Sequence, residues 1–235
     1  MAELTIIIPF YNEARTIGTL VQELQSLPID TFKTCLFVDD GSTDSSVNLL
    51  ESALMSAKFD YQLLTKANGG KASAIQLASR AVKTSHVLIL DADLELSTAD
   101  VTKMWAVVLG GTSDVVFGFR RFVAQSSFTY RFARGNQIIS HIYGILYNEV
   151  ITDIMCGLKL IPSDYLRAVP FKFSKFAVEV EIPLTLWVDR IRPYEIEVAY
   201  SPRSREEGKI IGITDAIQVV FDLVIFRIRM RSKRK

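Results

Sequence analysis

The residues most able to do chemistry sit together in Val87-Leu88-Ile89-Leu90-Asp91-Ala92-Asp93-Leu94-Glu95. A short run rich in Val, Ile and Leu reads as a buried strand, being too short for a helix. It ends in carboxylates at alternate positions. On an extended backbone residues two apart share a face, so Asp91, Asp93 and Glu95 are expected to converge at the strand's carboxyl end. Three carboxylates repel one another unless a cation joins them, and hard oxygen ligands suit Mg²⁺ or Mn²⁺. Taken alone, the run reads equally well as a strand end with a solvated turn.

The elements that would position these groups alternate regularly. Leu4 to Pro9 reads as a first buried strand, and Ala14 to Leu27 as a helix with Ile17, Leu20, Val21 and Leu24 at helical spacing. Thr34 to Val38 is a second strand, closed by Asp39-Asp40-Gly41-Ser42, and Thr43 or Asp44 can cap the helix that follows. Tyr61 to Leu64, a small-residue helix from Lys71 to Ala81, the opening strand, a helix around Val101 to Leu109 and a strand at Asp114 to Phe119 continue the pattern. Such alternation predicts an α/β fold, a mostly parallel sheet with helices on both faces. Right-handed crossovers gather the loops after successive strands on one edge, where ligands of open sheets bind. Farther on, Tyr130 to Tyr147 and Phe176 to Trp187 are expected helices, the second disturbed by Pro183. Leu158 to Ile161 and Tyr194 to Tyr200 are expected strands. Thr214 to Met230 reads as a closing amphipathic helix.

Bulk composition agrees with a globular chain. Of 235 residues, 49% are hydrophobic and 23% charged, with a net charge of +1 that gives no reason to expect a nucleic-acid partner. Cys35 and Cys156 form neither a metal spacing nor a disulfide framework, which points to a reducing compartment. The N-terminus runs into a strand pattern without a basic-then-apolar leader. The uncharged stretch from Asn136 to Asn148 falls short of the ~20 residues of a spanning helix, so the polypeptide is not expected to cross a membrane. Past Phe226 the charge is entirely basic: Arg227, Arg229, Arg231, Lys233, Arg234 and Lys235.

Four motifs in order, Ile8-Pro9-Phe10-Tyr11-Asn12-Glu13, Val38-Asp39-Asp40-Gly41-Ser42-Thr43-Asp44, Asn68-Gly69-Gly70-Lys71 and Asp91-Ala92-Asp93, resemble glycosyltransferase family 2, which has the GT-A fold. Gly118-Phe119-Arg120, Tyr130-Arg131, Asp153 with Cys156-Gly157, Phe176 to Glu181, and Pro202-Arg203 with Glu207-Gly208-Lys209 look like its polyprenyl-phosphate sugar synthases, the group typified by dolichyl-phosphate mannose synthase. The likeness runs to about Asp215. It departs at Glu95, a position often held by Gln in that group. Transmembrane helices often follow the catalytic domain in that group, and none is read here. The expected organisation is a catalytic domain over 1–212 and an amphipathic helix with a basic tail over 213–235.

The resemblance implies an inverting transfer of a hexose, mannose or glucose, from GDP-mannose or UDP-glucose to a polyprenyl (dolichyl) phosphate. Pro9, Tyr11, Glu13, Val38, Asp40, Lys71, Asp91, Ala92 and Asp93 would line the donor site, with Asp40 accepting from the base. Lys71 reads equally as a solvated lysine beside a flexible turn. Asp91, Asp93 and Glu95 would hold Mg²⁺ or Mn²⁺ as Lewis acid and template for the departing diphosphate. The acceptor phosphate is largely anionic near neutrality, its second pKa being roughly 6, so no strong base is needed. Neither histidine offers one: His86 precedes the strand and His141 lies in an apolar helix. Arg120, Arg131 and Arg203 would grip the acceptor, each charge-assisted contact worth about 1.5–3 kcal/mol. Lys209, Arg134 and Arg205 stand behind them, and Asp153 and Glu181 would orient the arginines. Ile217, Val220, Phe221, Val224 and Ile228 form an apolar stripe that can lie at an anionic membrane surface, each basic residue adding ~1 kcal/mol. The expected location is therefore peripheral on the cytoplasmic face, bound directly or through a membrane-anchoring partner subunit. The same stripe would serve an ordinary closing helix. Two other readings stand beside this one: a family 2 enzyme with a saccharide hydroxyl acceptor, which needs a carboxylate base, and a non-catalytic nucleotide-sugar-binding protein.

Overall fold

The computed structural model describes residues 2–28, 30–121, 130–172, 178–202 and 213–232. Its elements run β1 (Leu4–Phe10), α1 (Ile17–Ser26), β2 (Thr34–Asp39), α2 (Ser46–Leu54), β3 (Asp60–Thr65), α3 (Lys71–Ala81), β4 (His86–Ile89), α4 (Ala99–Leu109), β5 (Val116–Arg120), α5 (Tyr130–Tyr147), β6 (Lys159–Pro162), α6 (Ser163–Ala168), α7 (Val178–Val188), β7 (Tyr194–Val198) and α8 (Ile213–Ser232). They build a seven-stranded sheet in the order β3-β2-β1-β4-β6-β5-β7.

Helices cover both faces, and the two-residue period of the strands feeds two cores. Ile7, Leu36, Val38, Val87, Ile89 and Phe117 face a layer that includes Ala74, Ile75 and Ala78 of α3 and Ile182 and Leu184 of α7. Ile6, Ile8, Phe37, Leu88 and Leu90 face Leu20 and Leu24 of α1, Leu50 of α2 and Met104 of α4. β1 and β4 are buried at every position, which is why they read as unbroken apolar runs rather than alternating ones. Burying each such Ile or Leu contributes roughly 1.5–3 kcal/mol.

Most pairings are parallel, as expected, with one reversal. β6 lies between β4 and β5 and runs antiparallel to both. Its first residue, Lys159, pairs with Ile89, the last residue of β4, and with Phe117 of β5. The chain leaving β5 therefore passes through α5 and returns to the edge it left, without crossing the sheet. This return delivers Asp153 to Gly157 to the same edge as Asp91 and Arg120. The alternating pattern could not foretell it, because direction depends on which edge the chain re-enters and not on composition.

α7 is buried on nearly all sides, including Glu179, Glu181 and the internal Pro183. α8 packs on α5 in the first core through Val219 and Leu223, and the Tyr147 hydroxyl donates to the Leu223 carbonyl at 2.5 Å. Among the described residues no helix is long and apolar enough to cross a membrane.

Candidate active site

Two loops at the carboxyl ends of β1 and β2 are stitched together by short-range polar contacts. Asn12, left-handed at φ 55°, a conformation asparagine tolerates, accepts from the Thr43 amide at 2.8 Å, and its own amide donates to Ser42 Oγ at 3.0 Å. Asp39 Oδ1 accepts from the Ser42 amide at 2.8 Å. Asp44 accepts from Ser46 at the start of α2; burial acts to raise its pKa, but these hydrogen bonds prevail and lower it.

Asp40 does something the sequence did not suggest. It is buried, and its Oδ1 accepts from Lys66 Nζ at 2.7 Å and the Gly69 amide at 3.0 Å, while Oδ2 accepts from the Gly70 amide at 2.6 Å. The expected base-reading carboxylate thus clamps the Asn68-Gly69-Gly70-Lys71 loop. Gly70, at φ 86° and ψ 163°, holds a backbone conformation essentially confined to glycine, and it starts α3 with Lys71 as the first helical residue.

That start aims Lys71 into the edge. Its Nζ lies 2.5 Å from Asp91 Oδ1 and 2.6 Å from Glu179 Oε1, 108 residues away on α7. Burial opposes the charge, but Asp91 and Glu179 more than offset it and raise the pKa above that of an ordinary lysine. Lys71 is therefore an ion-paired cation of the site and not a solvated one. Gly157 makes room: a Cβ there would fall on Asp91 Oδ2 and come within 3.1 Å of Lys71 Nζ.

The three carboxylates expected to share a face do not continue one strand. After Leu90 the backbone turns, and Leu94 is left-handed at φ 58°, so the alternation that would align Asp91, Asp93 and Glu95 stops. Asp93 Oδ1 accepts from the Glu95 amide at 3.0 Å, and Glu95 Oε2 accepts from the Tyr200 hydroxyl at 2.7 Å. Among the described residues no group of three or more His, Cys, Asp and Glu side chains is placed to hold a metal ion. The donor chemistry still suits a divalent cation in another mode. Asp91 and Asp93 bring hard oxygens to one turn, and Mg²⁺ is commonly held by one or two carboxylates together with substrate phosphates.

Arg120 ends β5 as the other fixed cation. Nε donates to Asp153 Oδ2 at 2.6 Å and an Nη to Oδ1 at 2.9 Å, a bidentate pair with Asp153 fully buried. The Arg120 Cζ lies 5.2 Å from the Tyr200 ring centroid. Burial disfavours the guanidinium charge, but Asp153 outweighs it and raises the pKa. Burial pushes the Tyr200 phenol up, Glu95 adds to the shift, and Arg120 opposes it. The phenol therefore remains a donor at neutral pH. Glu181 Oε1 accepts from the Lys172 amide at 2.7 Å.

Of the remaining expected site residues, Tyr11 is exposed at the edge, Pro9 is buried in β1 opposite Val38, and Glu13 Oε2 accepts from Thr16 Oγ1 at 3.1 Å. Val38 and Ala92 are core residues, their side chains buried in the two opposite clusters, because strand period and turn direct them inward. Arg134 is exposed, with an Nη 3.1 Å from Gln137 Oε1. The Arg131 side chain, Arg203, Arg205 and Lys209 lie outside the described residues.

The sequence reading passed over Lys66, Glu179 as a partner, Tyr200 and Lys159. Lys159 is fully buried, donating to the Ile154 carbonyl at 3.0 Å and to the Cys156 carbonyl, with Nζ 5.2 Å from the Phe117 ring centroid. Burial lowers its pKa. A lysine heading an apolar strand was the available signal.

A mostly parallel sheet whose strand-end edge carries carboxylates, fixed cations and a glycine-dependent loop is the arrangement of the GT-A fold. The model for glycosyl transferase family 2 matches residues 5–169, and the chain belongs to that family. Among solved structures it is similar to glucosyl-3-phosphoglycerate synthase from Mycobacterium tuberculosis in complex with Mn²⁺, UDP and phosphoglyceric acid, with a TM-score of 0.74 and 16% identity over 96% of this chain and 78% of that one. Among curated proteins it is 24% identical to dodecaprenyl-phosphate galacturonate synthase of Rhizobium johnstonii, over 99% of this chain and 69% of the relative. It is 26% identical to undecaprenyl-phosphate 4-deoxy-4-formamido-L-arabinose transferase of Edwardsiella ictaluri, over 94% and 66%. Glycosyltransferase AglJ of Haloferax volcanii matches at 24% over 84% of this chain, which spans 63% of AglJ.

Proposed function

We propose that the protein moves a hexose, mannose or glucose, from a nucleotide-diphosphate sugar to a polyprenyl phosphate, with inversion at the anomeric carbon. The observation that carries this reading is the commitment of Asp153 to Arg120. Asp153, one of two carboxylates expected near the acceptor, spends both oxygens on a buried guanidinium, and the other, Glu181, is turned to the Lys172 amide. A saccharide hydroxyl needs a base to take its proton. A phosphate monoester arrives already anionic and needs fixed positive charge, which Arg120 supplies. Names of relatives that act on dodecaprenyl and undecaprenyl phosphates agree with such an acceptor.

In this reading one acceptor-phosphate oxygen attacks the anomeric carbon as the bond to the diphosphate breaks. Arg120, joined by Arg131, Arg203 and Lys209, orients the acceptor. Lys71 stands where the diphosphate leaves and offsets the charge that develops there. Tyr11, Pro9 and Glu13 border the nucleoside, and Asp40 serves them by fixing the loop that carries Lys71. Asp91 and Asp93 would hold Mg²⁺ or Mn²⁺, which when bound supplies Lewis-acid stabilisation of the leaving diphosphate. The catalytic unit is assigned to 1–212, and α8 with its basic tail to contact with a membrane surface, on the cytoplasmic face. Ile217, Phe221 and Ile228 of α8 are exposed, while Val219 and Leu223 dock the helix. An exposed apolar stripe beside basic residues suits an anionic interface.

The test is a radiolabelled transfer assay with GDP- and UDP-hexoses, offered a short polyprenyl phosphate and, separately, saccharide alcohols. Label entering the lipid phosphate is expected. Label entering only the alcohols, and lost in Asp153→Asn or Glu181→Gln, would replace this acceptor with a hydroxyl.

A further inference from the structure

The segment after β7 is laced onto the turn after β4. Leu96 and Tyr200 form an antiparallel bridge. The Ser201 amide donates to the Glu95 carbonyl at 2.8 Å, and the Ala199 amide to Oδ2 of the fully buried Asp100 at 2.7 Å. Tyr200, itself buried, sits at the centre: its hydroxyl donates to Glu95 Oε2 at 2.7 Å while its ring lies 5.2 Å from the Arg120 guanidinium carbon. One face of the phenol thus meets the cation assigned to the acceptor, and its tip meets the turn that carries Asp91 and Asp93. Two residues farther along the chain, Pro202 leads into Arg203.

We infer that Tyr200 is a positioning residue that joins the donor turn to the acceptor cation, with Glu95 as its anchor in place of a role as metal ligand. The inference rests on the transferase reading above and deepens it. Asp153 fixes one edge of the Arg120 guanidinium, and Tyr200 lies against it. Because a hydrogen bond to Glu95 anchors the phenol, a shift of the Asp91–Glu95 turn moves the side chain against which Arg120 rests. The residue at position 95 then needs an oxygen that accepts from a phenol, which glutamine also offers.

The experiment compares Tyr200→Phe, Glu95→Ala, Glu95→Gln and the Tyr200→Phe/Glu95→Ala double variant. Steady-state kinetics use a short polyprenyl monophosphate, and Mn²⁺ binding is followed by electron paramagnetic resonance with GDP or UDP present. Tyr200→Phe is expected to raise the KM for the prenyl phosphate about tenfold, the order of one hydrogen bond in a charged network. The donor KM and Mn²⁺ affinity should stay within about twofold. Glu95→Ala should match it, Glu95→Gln should recover most of the loss, and the double variant should be no worse than either single change, as expected of coupled partners. A Glu95→Ala protein that loses Mn²⁺ binding, an unchanged acceptor KM in Tyr200→Phe, or multiplying effects in the double variant would overturn the inference. Failure of the transferase reading is seen separately, as wild-type protein that passes hexose to no prenyl phosphate. The positioning claim is then decided by the Arg120 Nε–H resonance, which should shift in Tyr200→Phe and Glu95→Ala and return with Glu95→Gln. A resonance that stays put in Tyr200→Phe would overturn the claim.

Discussion

The two halves of the strand-end edge are held by different physics. On the donor half, Asn12, Asp39 and Asp40 accept from backbone amides of neighbouring loops, and Asp40 also takes Lys66. Elsewhere along the edge, charged side chains distant in sequence pair in buried surroundings: Arg120 with Asp153 on the half assigned to the acceptor, and Lys71 with Glu179 beside Asp91. Amide-to-carboxylate contacts shape loops that water can partly replace. Buried ion pairs leave a bare charge when one partner goes, and that charge has no solvent to turn to.

The largest predicted effect attacks the acceptor half. Arg120→Ala strands the buried Asp153 carboxylate and should cost about 3–5 kcal/mol of stability, read as a lower denaturant midpoint. Gly157→Ala comes next. Its methyl enters the space of Asp91 Oδ2 and Lys71 Nζ, and overpacking of this kind costs about 1–3 kcal/mol, with transfer falling as the pair is displaced. Asp40→Asn, on the donor half, keeps one acceptor oxygen and should cost only ~0.5–1.5 kcal/mol. Its larger consequence should be weaker donor binding by calorimetry, as the Lys71 loop loosens. If Asp40→Asn destabilises more than Arg120→Ala, the contrast between the halves fails.

The smallest effect lies away from both. His86 stacks edge-on against Trp105 at 5.5 Å between ring centroids, and burial lowers its pKa despite Asp114. The folded state therefore favours the neutral ring. Stability should be intact above the unfolded histidine pKa of about 6.5 and decline as pH falls through that value towards the lower folded one. Trp105 fluorescence during unfolding at pH 7.5 and 5.5 would report it, and His86→Gln should flatten the difference.

The same contrast explains what could be read from the chain. Helices with a clear period were placed closely: Tyr130 to Tyr147 was expected and is α5, and Thr214 to Met230 falls inside α8. The donor-half motifs were legible because their partners lie in adjacent loops. The reversal of β6, the short α6 and the pairing of Lys71 with Glu179 were not, since each depends on which segments meet in space. The alignment of the three carboxylates differs from the expected one for a local reason. Strand alternation was carried past Leu90, where Leu94 adopts a left-handed conformation. The apolar stripe of α8 was assigned as one surface; Ile217, Phe221 and Ile228 of it are exposed and Val220 is half-buried against the first core, while Val219 and Leu223, outside that stripe, make the buried contact.

The central claim is that the Asp91–Asp93 turn and its divalent ion take up the charge of a departing nucleoside diphosphate. It is tested most directly by metal-dependent transfer of radiolabelled hexose to a short polyprenyl phosphate, with wild-type protein beside Asp93→Ala. The account predicts transfer that requires Mg²⁺ or Mn²⁺ and falls by at least about 10²-fold in the variant, with the unfolding midpoint little changed. Full transfer by folded Asp93→Ala protein would contradict it.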